Sequence, residues 1–238
     1  MDTREAFLEG KMSLVTGGTR GIGRAIARAL VRAGSRVVIC GRAPESTEAA
    51  ARELAAETGG WVAGFAADVR RPQEVENLFA FMDRSGGVDI LINNAGVGIF
   101  RPVAELSYEE WAQVLETNLT GAFLCSHAAL PRFRNAGGGF IVNIGSLAGK
   151  NPFAGGAAYN ASKFGLTGFT EAMMLDHRFE GVRVSLIMPG SVSTDFGSGA
   201  ASWKIAPEDV AEVVLSVLRM PARTLISRVE IRPARPEK

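Results

Sequence analysis

Histidine, cysteine and tyrosine are nearly absent from this chain, which holds two of each in 238 residues. Cys40 and Cys125 both sit in apolar segments and read as buried free thiols, so a disulfide framework is excluded. His127 and His177 fall on expected helices and read as structural. Charge imbalance is missing too: 26 basic against 25 acidic residues leave a formal net charge of +1, and the basic residues are scattered. That excludes the footprint of a nucleic-acid binder and the polybasic segment of a membrane-surface protein. No uncharged apolar run reaches spanning length, because the longest are broken by Asn, Gly, His or Pro. The opening MDTREAFLEGK lacks the apolar core of a secretory signal. The expectation is a reduced, cytoplasmic protein with neither nucleic-acid nor membrane partners.

What is present is apolar and periodic. Hydrophobic residues make up 47% of the chain, enough for one packed core. Ser13–Thr16, Arg36–Cys40, Trp61–Phe65, Val88–Asn93, Phe140–Ile144, Val182–Met188 and Leu225–Ile231 read as strands. Ile22–Ala33, Pro44–Thr58, Pro72–Arg84, Tyr108–Arg134, Ala157–Glu180 and Pro207–Arg219 read as the helices between them. Alternating strands and helices, with strands apolar throughout, predict an α/β fold: a doubly wound parallel sheet of about seven strands, helices on both faces. Residues 1–238 read as a single domain. Within it, the Gly/Ser/Ala-rich region 190–205 is expected to be a mobile substrate loop, and 232–238 a frayed tail.

The polar signals gather where strands end. The first strand runs into T-G-G-T-R-G-I-G, with Gly17, Gly21 and Gly23 ahead of an amphipathic helix. Such a turn lets backbone approach a ligand, and the helix N-terminus offers free N–H groups to a pyrophosphate. Asp68 follows the third strand, where a carboxylate could accept from an adenine amino group. Asn93, Asn94, Ala95 and Gly96 end the fourth. Ligands of open α/β sheets bind beyond the carboxyl ends of strands, where these features coincide. Ser146 follows the fifth strand, and Asn118 interrupts a long helix as a poor helix former. Tyr159 and Lys163, four residues apart, share one helix face.

Taken together, Thr16–Gly23, Asn93–Gly96, Asn118, Ser146, Tyr159/Lys163 and Pro189-Gly190 resemble the short-chain dehydrogenase/reductase family in order and spacing, from about residue 11 to residue 195. The resemblance implies a Rossmann-like domain and a metal-free oxidoreductase that transfers hydride between a nicotinamide cofactor and a ketone or secondary alcohol. It makes Asn118, Ser146, Tyr159 and Lys163 the catalytic set. Tyr159 would exchange a proton with the substrate oxygen, which Ser146 orients. Lys163 would favour the phenolate and bond the nicotinamide ribose, and Asn118 would hold a proton-relaying water. An ammonium ~4 Å from a phenol is worth about 4 kcal/mol at an effective dielectric near 20, so a lowered Tyr159 pKa is expected.

The resemblance also implies a cofactor site of Gly17, Thr19, Arg20, Gly21, Ile22, Gly23, Arg42, Asp68, Val69, Asn94, Ala95, Gly96, Tyr159, Lys163, Pro189, Gly190, Val192 and Thr194. The second strand ends V-V-I-C-G-R, with no acid for a ribose 2′-hydroxyl and with Arg42 just beyond. Together with Arg20, this is similar to NADP-preferring members, so NADP(H) is expected over NAD(H). Phe100, Phe153, Phe196, Trp203 and Ile205 suggest a small apolar carbonyl substrate. A 3-oxoacyl-carrier reductase, a dehydratase or epimerase, and a non-catalytic cofactor sensor are the alternatives. Apolar and small residues on the two long helices (Ala122, Phe123, Phe164, Gly168, Phe169, Ala172 and Met173) lie on more faces than one sheet contact can cover. The resemblance, to a family whose members pair these helices across a two-fold axis, implies a homodimer or homotetramer.

Overall fold

Successive residues of a strand point to opposite faces, so strands apolar at every position need cover on both sides. The computed structural model, which describes residues 6–194, 196 and 201–236, provides it. In chain order the elements are β1 (Met12–Thr16), α1 (Gly21–Arg32), β2 (Arg36–Gly41), α2 (Pro44–Thr58), β3 (Val62–Ala66), α3 (Pro72–Ser85) and β4 (Ile90–Asn93). There follow α4 (Tyr108–Leu115), α5 (Gly121–Ala136), β5 (Gly139–Ile144), α6 (Ala157–His177), β6 (Val182–Pro189), α7 (Pro207–Leu218) and β7 (Arg228–Ile231). The seven strands form one parallel sheet in the order β3-β2-β1-β4-β5-β6-β7.

Val15, Val37, Ile39, Ile92, Val142 and Ile187 face α1, α2 and α7, whose Ile26, Leu30, Leu54, Val210 and Val214 complete that core. The alternate residues Leu14, Val38, Leu91, Ile141 and Val184 face α3, α5 and α6, through Leu78, Phe79, Cys125, Phe133 and Met173. Local chemistry sets the helix ends. Prolines start α2, α3 and α7, where a missing N–H costs nothing. Ser107 and Glu110 cap each other reciprocally at the start of α4. Gly59, at φ +72°, ends α2 in the left-handed conformation that glycine adopts readily.

One polar chain crosses the apolar interior. Asn93 Nδ2 donates to Asn143 Oδ1 at 2.8 Å and to Ser126 Oγ at 3.0 Å, while Asn143 Nδ2 donates to Thr170 Oγ1 at 2.8 Å. All four residues are buried. β4, β5, α5 and α6 are thereby tied in one register, because slippage would strand buried donors.

Two sequence expectations change. The helix expected over Tyr108–Arg134 is divided by a π turn at Glu116–Thr120, in which Gly121 N–H reaches back to Glu116 O. The seventh strand begins at Arg228 rather than Leu225. The tail expected to fray places Arg232, Pro233 and Pro236 along the cleft described below; 237 and 238 fall outside the described residues. Among the described residues, no helix is long and apolar enough to cross a membrane. The chain direction reverses across the sheet between β1 and β4, where a crevice opens at their carboxyl ends.

Candidate active site

Beyond the carboxyl ends of the strands lies one cleft of about 1160 Å³. At its nucleotide end the backbone carries the geometry. Gly17 and Gly21 have φ of +64° and +55°. A Cβ on Gly23 would stand 2.2 Å from Gly17 O, and one on Gly17 would stand 2.9 Å from Ala95 Cα. Asn94 Nδ2 donates to Thr16 O (3.0 Å) and Gly17 O (3.1 Å), and Thr16 Oγ1 accepts from Asn94 N and Ala95 N at 3.0 and 3.1 Å. The loop is thus bolted to β4. Arg20, the residue before α1, is extended and provides no side-chain cap, so the first N–H groups of α1 remain available to an anion. A dinucleotide pyrophosphate fits this cradle, which any larger residue at 17 or 23 would fill.

Thr19, Arg20, Ile22, Arg42, Asp68, Val69, Asn94, Ala95, Gly96, Pro189, Gly190, Val192 and Thr194 line the same cleft, and Arg20 and Arg42 are exposed. Asp68 has a partner within the protein. Its carboxylate already accepts from Arg70 N, Nε and Nη2, and Arg70 holds it below the ordinary carboxylate range. Gly41 cannot carry a side chain as the loop stands. A Cβ there would lie 2.5 Å from Thr47 Oγ1 and 2.7 Å from Thr19 Cγ2. Thr47 is itself buried and donates to Ala43 O at 2.8 Å.

At the other end of the cleft, Ser146, Tyr159 and Lys163 come together. Ser146 caps the short turn Leu147–Gly149, accepting from Ala148 N at 3.1 Å, and its hydroxyl also hydrogen-bonds the Tyr159 phenol. Lys163, only 6% exposed, donates from Nζ to Ile144 O at 2.9 Å. The expected lowering of Tyr159 is corrected here. Burial pushes the phenol above its ordinary value, partly offset by the Ser146 hydrogen bond, and burial brings Lys163 down to about 8. Desolvation outweighs attraction because the ammonium is turned to the Ile144 carbonyl, 5.8 Å from the Tyr159 ring centre.

Asn118 is buried behind the cleft and does not line it. Its Oδ1 accepts from Val97 N at 2.7 Å, and its Nδ2 donates to Val97 O at 2.9 Å and Ser162 Oγ at 3.0 Å. Ser162 Oγ in turn donates to Tyr159 O at 2.7 Å. The side-chain amide therefore has both of its N–H donors committed within the protein. Its visible work is to join the π turn, the strand-end loop and α6. The loop after β6 is anchored where Val192 bridges Ile205, and 195 and 197–200 lie outside the described residues.

Sequence reasoning passed over Thr16 as a fastener, Ser162 as a link, Thr47 behind Gly41, and Arg232, Pro233 and Pro236 as cleft wall. The first two sit inside quoted motifs and were within reach; the tail carries no local signal. The two histidines are occupied elsewhere, His127 stacked on Phe123 and His177 bonded to Glu180 at 3.0 Å. Cys40 and Cys125 are buried free thiols, and burial pushes Cys40 up to about 12.

Comparison with known proteins agrees with this geometry. Residues 11–205 match the family model described as short chain dehydrogenase. Over 189 residues the chain is 40% identical to a 3-oxoacyl-(acyl-carrier-protein) reductase of Vibrio cholerae, covering 79% of this chain and 76% of that one. It is also 40% identical, over 194 residues, to a D-threitol dehydrogenase of Mycolicibacterium smegmatis, covering 81% and 74%. A metagenomic short-chain oxidoreductase solved in complex with NADP superposes with a TM-score of 0.86 at 38% identity, covering 98% of this chain and all of that one.

The buried lysine gives a measurable pH signature. Its folded value is about 8 against an ordinary 10.5, so below pH 8 both states are protonated and the burial cost is fully present. Between those values the unfolded state holds the extra proton, and stability rises with pH by up to about 1.4 kcal/mol per unit. Denaturant unfolding of the cofactor-free protein from pH 7 to 10 should show the Lys163→Met variant losing this rise relative to wild type. A stability difference that stays flat with pH would show that Lys163 keeps its ordinary value.

Proposed function

The chain belongs to the short chain dehydrogenase family, and from that premise we propose that it moves hydride between NADP(H) and an apolar ketone or secondary alcohol. The observation that carries the reading is the convergence of Ser146, Tyr159 and Lys163 on the cleft whose far end is the glycine loop. Bound NADPH supplies the hydride. Ser146 holds the substrate oxygen in line with the phenol, and Tyr159 gives that oxygen its proton as the carbonyl becomes an alcohol. Lys163, one helical turn away and brought down to about 8 by burial, keeps a positive charge available to the phenolate left behind. Asn118, through Ser162, holds the Tyr159 backbone, and beside that role it holds the water that relays protons to Lys163. Thr16 and Asn94 keep the glycine loop in the shape a pyrophosphate needs.

Arg20 and Arg42 at the cleft edge support NADP(H), and the crowding at Gly41 supports it from the opposite direction. An acid there, which a ribose 2′-hydroxyl would call for, has no room beside Thr47 and Thr19. The relative solved with NADP agrees. A 3-oxoacyl thioester substrate is the second reading, favoured by the likeness to the Vibrio cholerae enzyme.

For assembly we take the exposed outer sides of α5 and α6, where Phe123 and Phe164 are 45% and 44% exposed and a Cβ on Gly168 would meet nothing. Ala122 and Met173, expected in that surface, are buried within the chain. A second copy packed there makes a homodimer or homotetramer, and the cytoplasm is its compartment.

Tyr159→Phe should reduce kcat by about 10²–10⁴-fold while NADPH binding, read by fluorescence, stays within a factor of two or so; retention of a tenth of the activity would remove Tyr159 from the proton transfer. Arg42→Ala should weaken NADPH by roughly tenfold and barely affect NADH, since a charged hydrogen bond at an open site is worth about 1.5 kcal/mol. Wild type that prefers NADH in kcat/KM, or a ratio unmoved by the mutation, would refute the NADP assignment. Light scattering at micromolar concentration should give at least twice the 25.2 kDa chain mass; a monomer contradicts the assembly.

A further inference from the structure

We propose that the ketone selected by this site carries an aromatic ring beside its carbonyl, held by Phe100 and Phe153 with Phe196; the proposal rests on the reductase reading above. Three phenylalanines converge on the one phenol that meets the substrate oxygen. Phe100 lies edge-on to Tyr159 at 5.5 Å between ring centres and 76° between planes. Phe153 and Phe196 lie 6.5 and 5.8 Å from the same ring, and Phe100 is 5.7 Å from Phe153. All three line the cleft and remain 45%, 46% and 42% exposed, so a large share of their ring surface is left for a ligand to cover.

These rings are held in place by their surroundings. A Cβ on Gly98 would stand 2.7 Å from Phe100 Cζ and 2.9 Å from Phe196 Cζ, so only glycine admits both. A Cβ on Gly156 would stand 2.7 Å from the Phe153 ring. Phe153 O accepts from Asn160 Nδ2 at 3.1 Å and from Gly156 N at 3.2 Å, which ties it to α6 beside Tyr159. Arg101 bridges Gly156, so the segments bearing Phe100 and Phe153 are joined directly. Rings fixed at tilted and edge-on angles suit another ring, because edge-to-face contact adds to simple burial. A flexible acyl chain receives only the burial and gives up rotational freedom.

Charge at this end does not call for an anionic substrate. Lys150 Nζ and Arg232 Nη2 both donate to Glu230, at 2.7 and 3.0 Å. The Lys204 ammonium stands 5.8 Å from the centre of the Trp203 ring.

The test compares methyl phenyl ketone with methyl cyclohexyl ketone, which match in size and differ in the ring. Wild type with NADPH should favour the phenyl compound about tenfold in kcat/KM, the size of one good ring contact. Phe100→Leu and Phe153→Leu should each bring the ratio toward one. Their melting temperatures are checked beside wild type, and the wild-type comparison stands without either variant. Calorimetric titration of the NADPH-loaded protein with 1-phenylethanol and 1-cyclohexylethanol, pairings that have no hydride acceptor, reads recognition apart from turnover. Tighter phenyl binding without reduction of any ketone keeps the ring site and overturns the reductase reading. Equal handling of the two ketones, a preference unmoved by both variants, or no phenyl binding overturns the ring site and leaves the reductase reading to its own tests.

Discussion

The cleft depends on how closely two stretches of backbone approach at the reversal point of the sheet. Gly17 passes Ala95 with no room for a methyl group, and Asn94 fastens the two strand ends by donating to Thr16 O and Gly17 O. Only glycine allows that approach, and only a side-chain amide placed at 94 replaces the backbone bonds which a turn so tight cannot make internally. With these fixed, the first N–H groups of α1 face the cleft, and every other lining residue takes its place around them. The anion cradle is thus built mainly from backbone.

The opposite end is governed by desolvation. A buried ammonium is costly, and the protein lessens the cost with the Ile144 carbonyl rather than with a carboxylate. A carboxylate would hold Lys163 permanently charged and compete with the phenolate. A carbonyl leaves it depressed and available. The raised phenol and lowered lysine together describe a site in which charge is unfavourable until a ligand brings its own, as expected of a site that must release one proton per turnover.

Much of this was legible in the sequence. The seven strands read from largely apolar runs, because a sheet covered on both faces admits few polar side chains. The ends of the first, third, fourth, fifth and sixth strands were marked by Gly, Asp, Asn, Ser and Gly, and Gly17, Asp68, Asn94, Ser146 and Gly190 do meet around one cavity. What stayed hidden was tertiary. The sign of the Tyr159 shift depends on which way Lys163 turns, and no spacing reports that. The bonds of Asn118 to Val97 and Ser162 span 21 and 44 residues and leave no local trace. The place of the tail was hidden because two prolines and mixed charges carry no periodicity, whereas Pro233 lies near Gly190 and Lys150 and Arg232 share Glu230.

The π turn at Glu116–Thr120 has a geometric effect that reaches past the cleft. One extra residue in a helical ladder advances every later side chain by about 100° around the axis. The turn therefore acts as a phase shifter between α4 and α5. It sets Cys125, Ala129 and Phe133 against the sheet and leaves Phe123 on the outer side. An uninterrupted α-helix through the same residues would rotate that arrangement by more than a quarter turn, swinging the exposed phenylalanine off its azimuth and pulling the buried row away from its strands. The residue that holds Val97 and Ser162 also dials the outward face of the molecule, so chemistry and surface share a single helical phase.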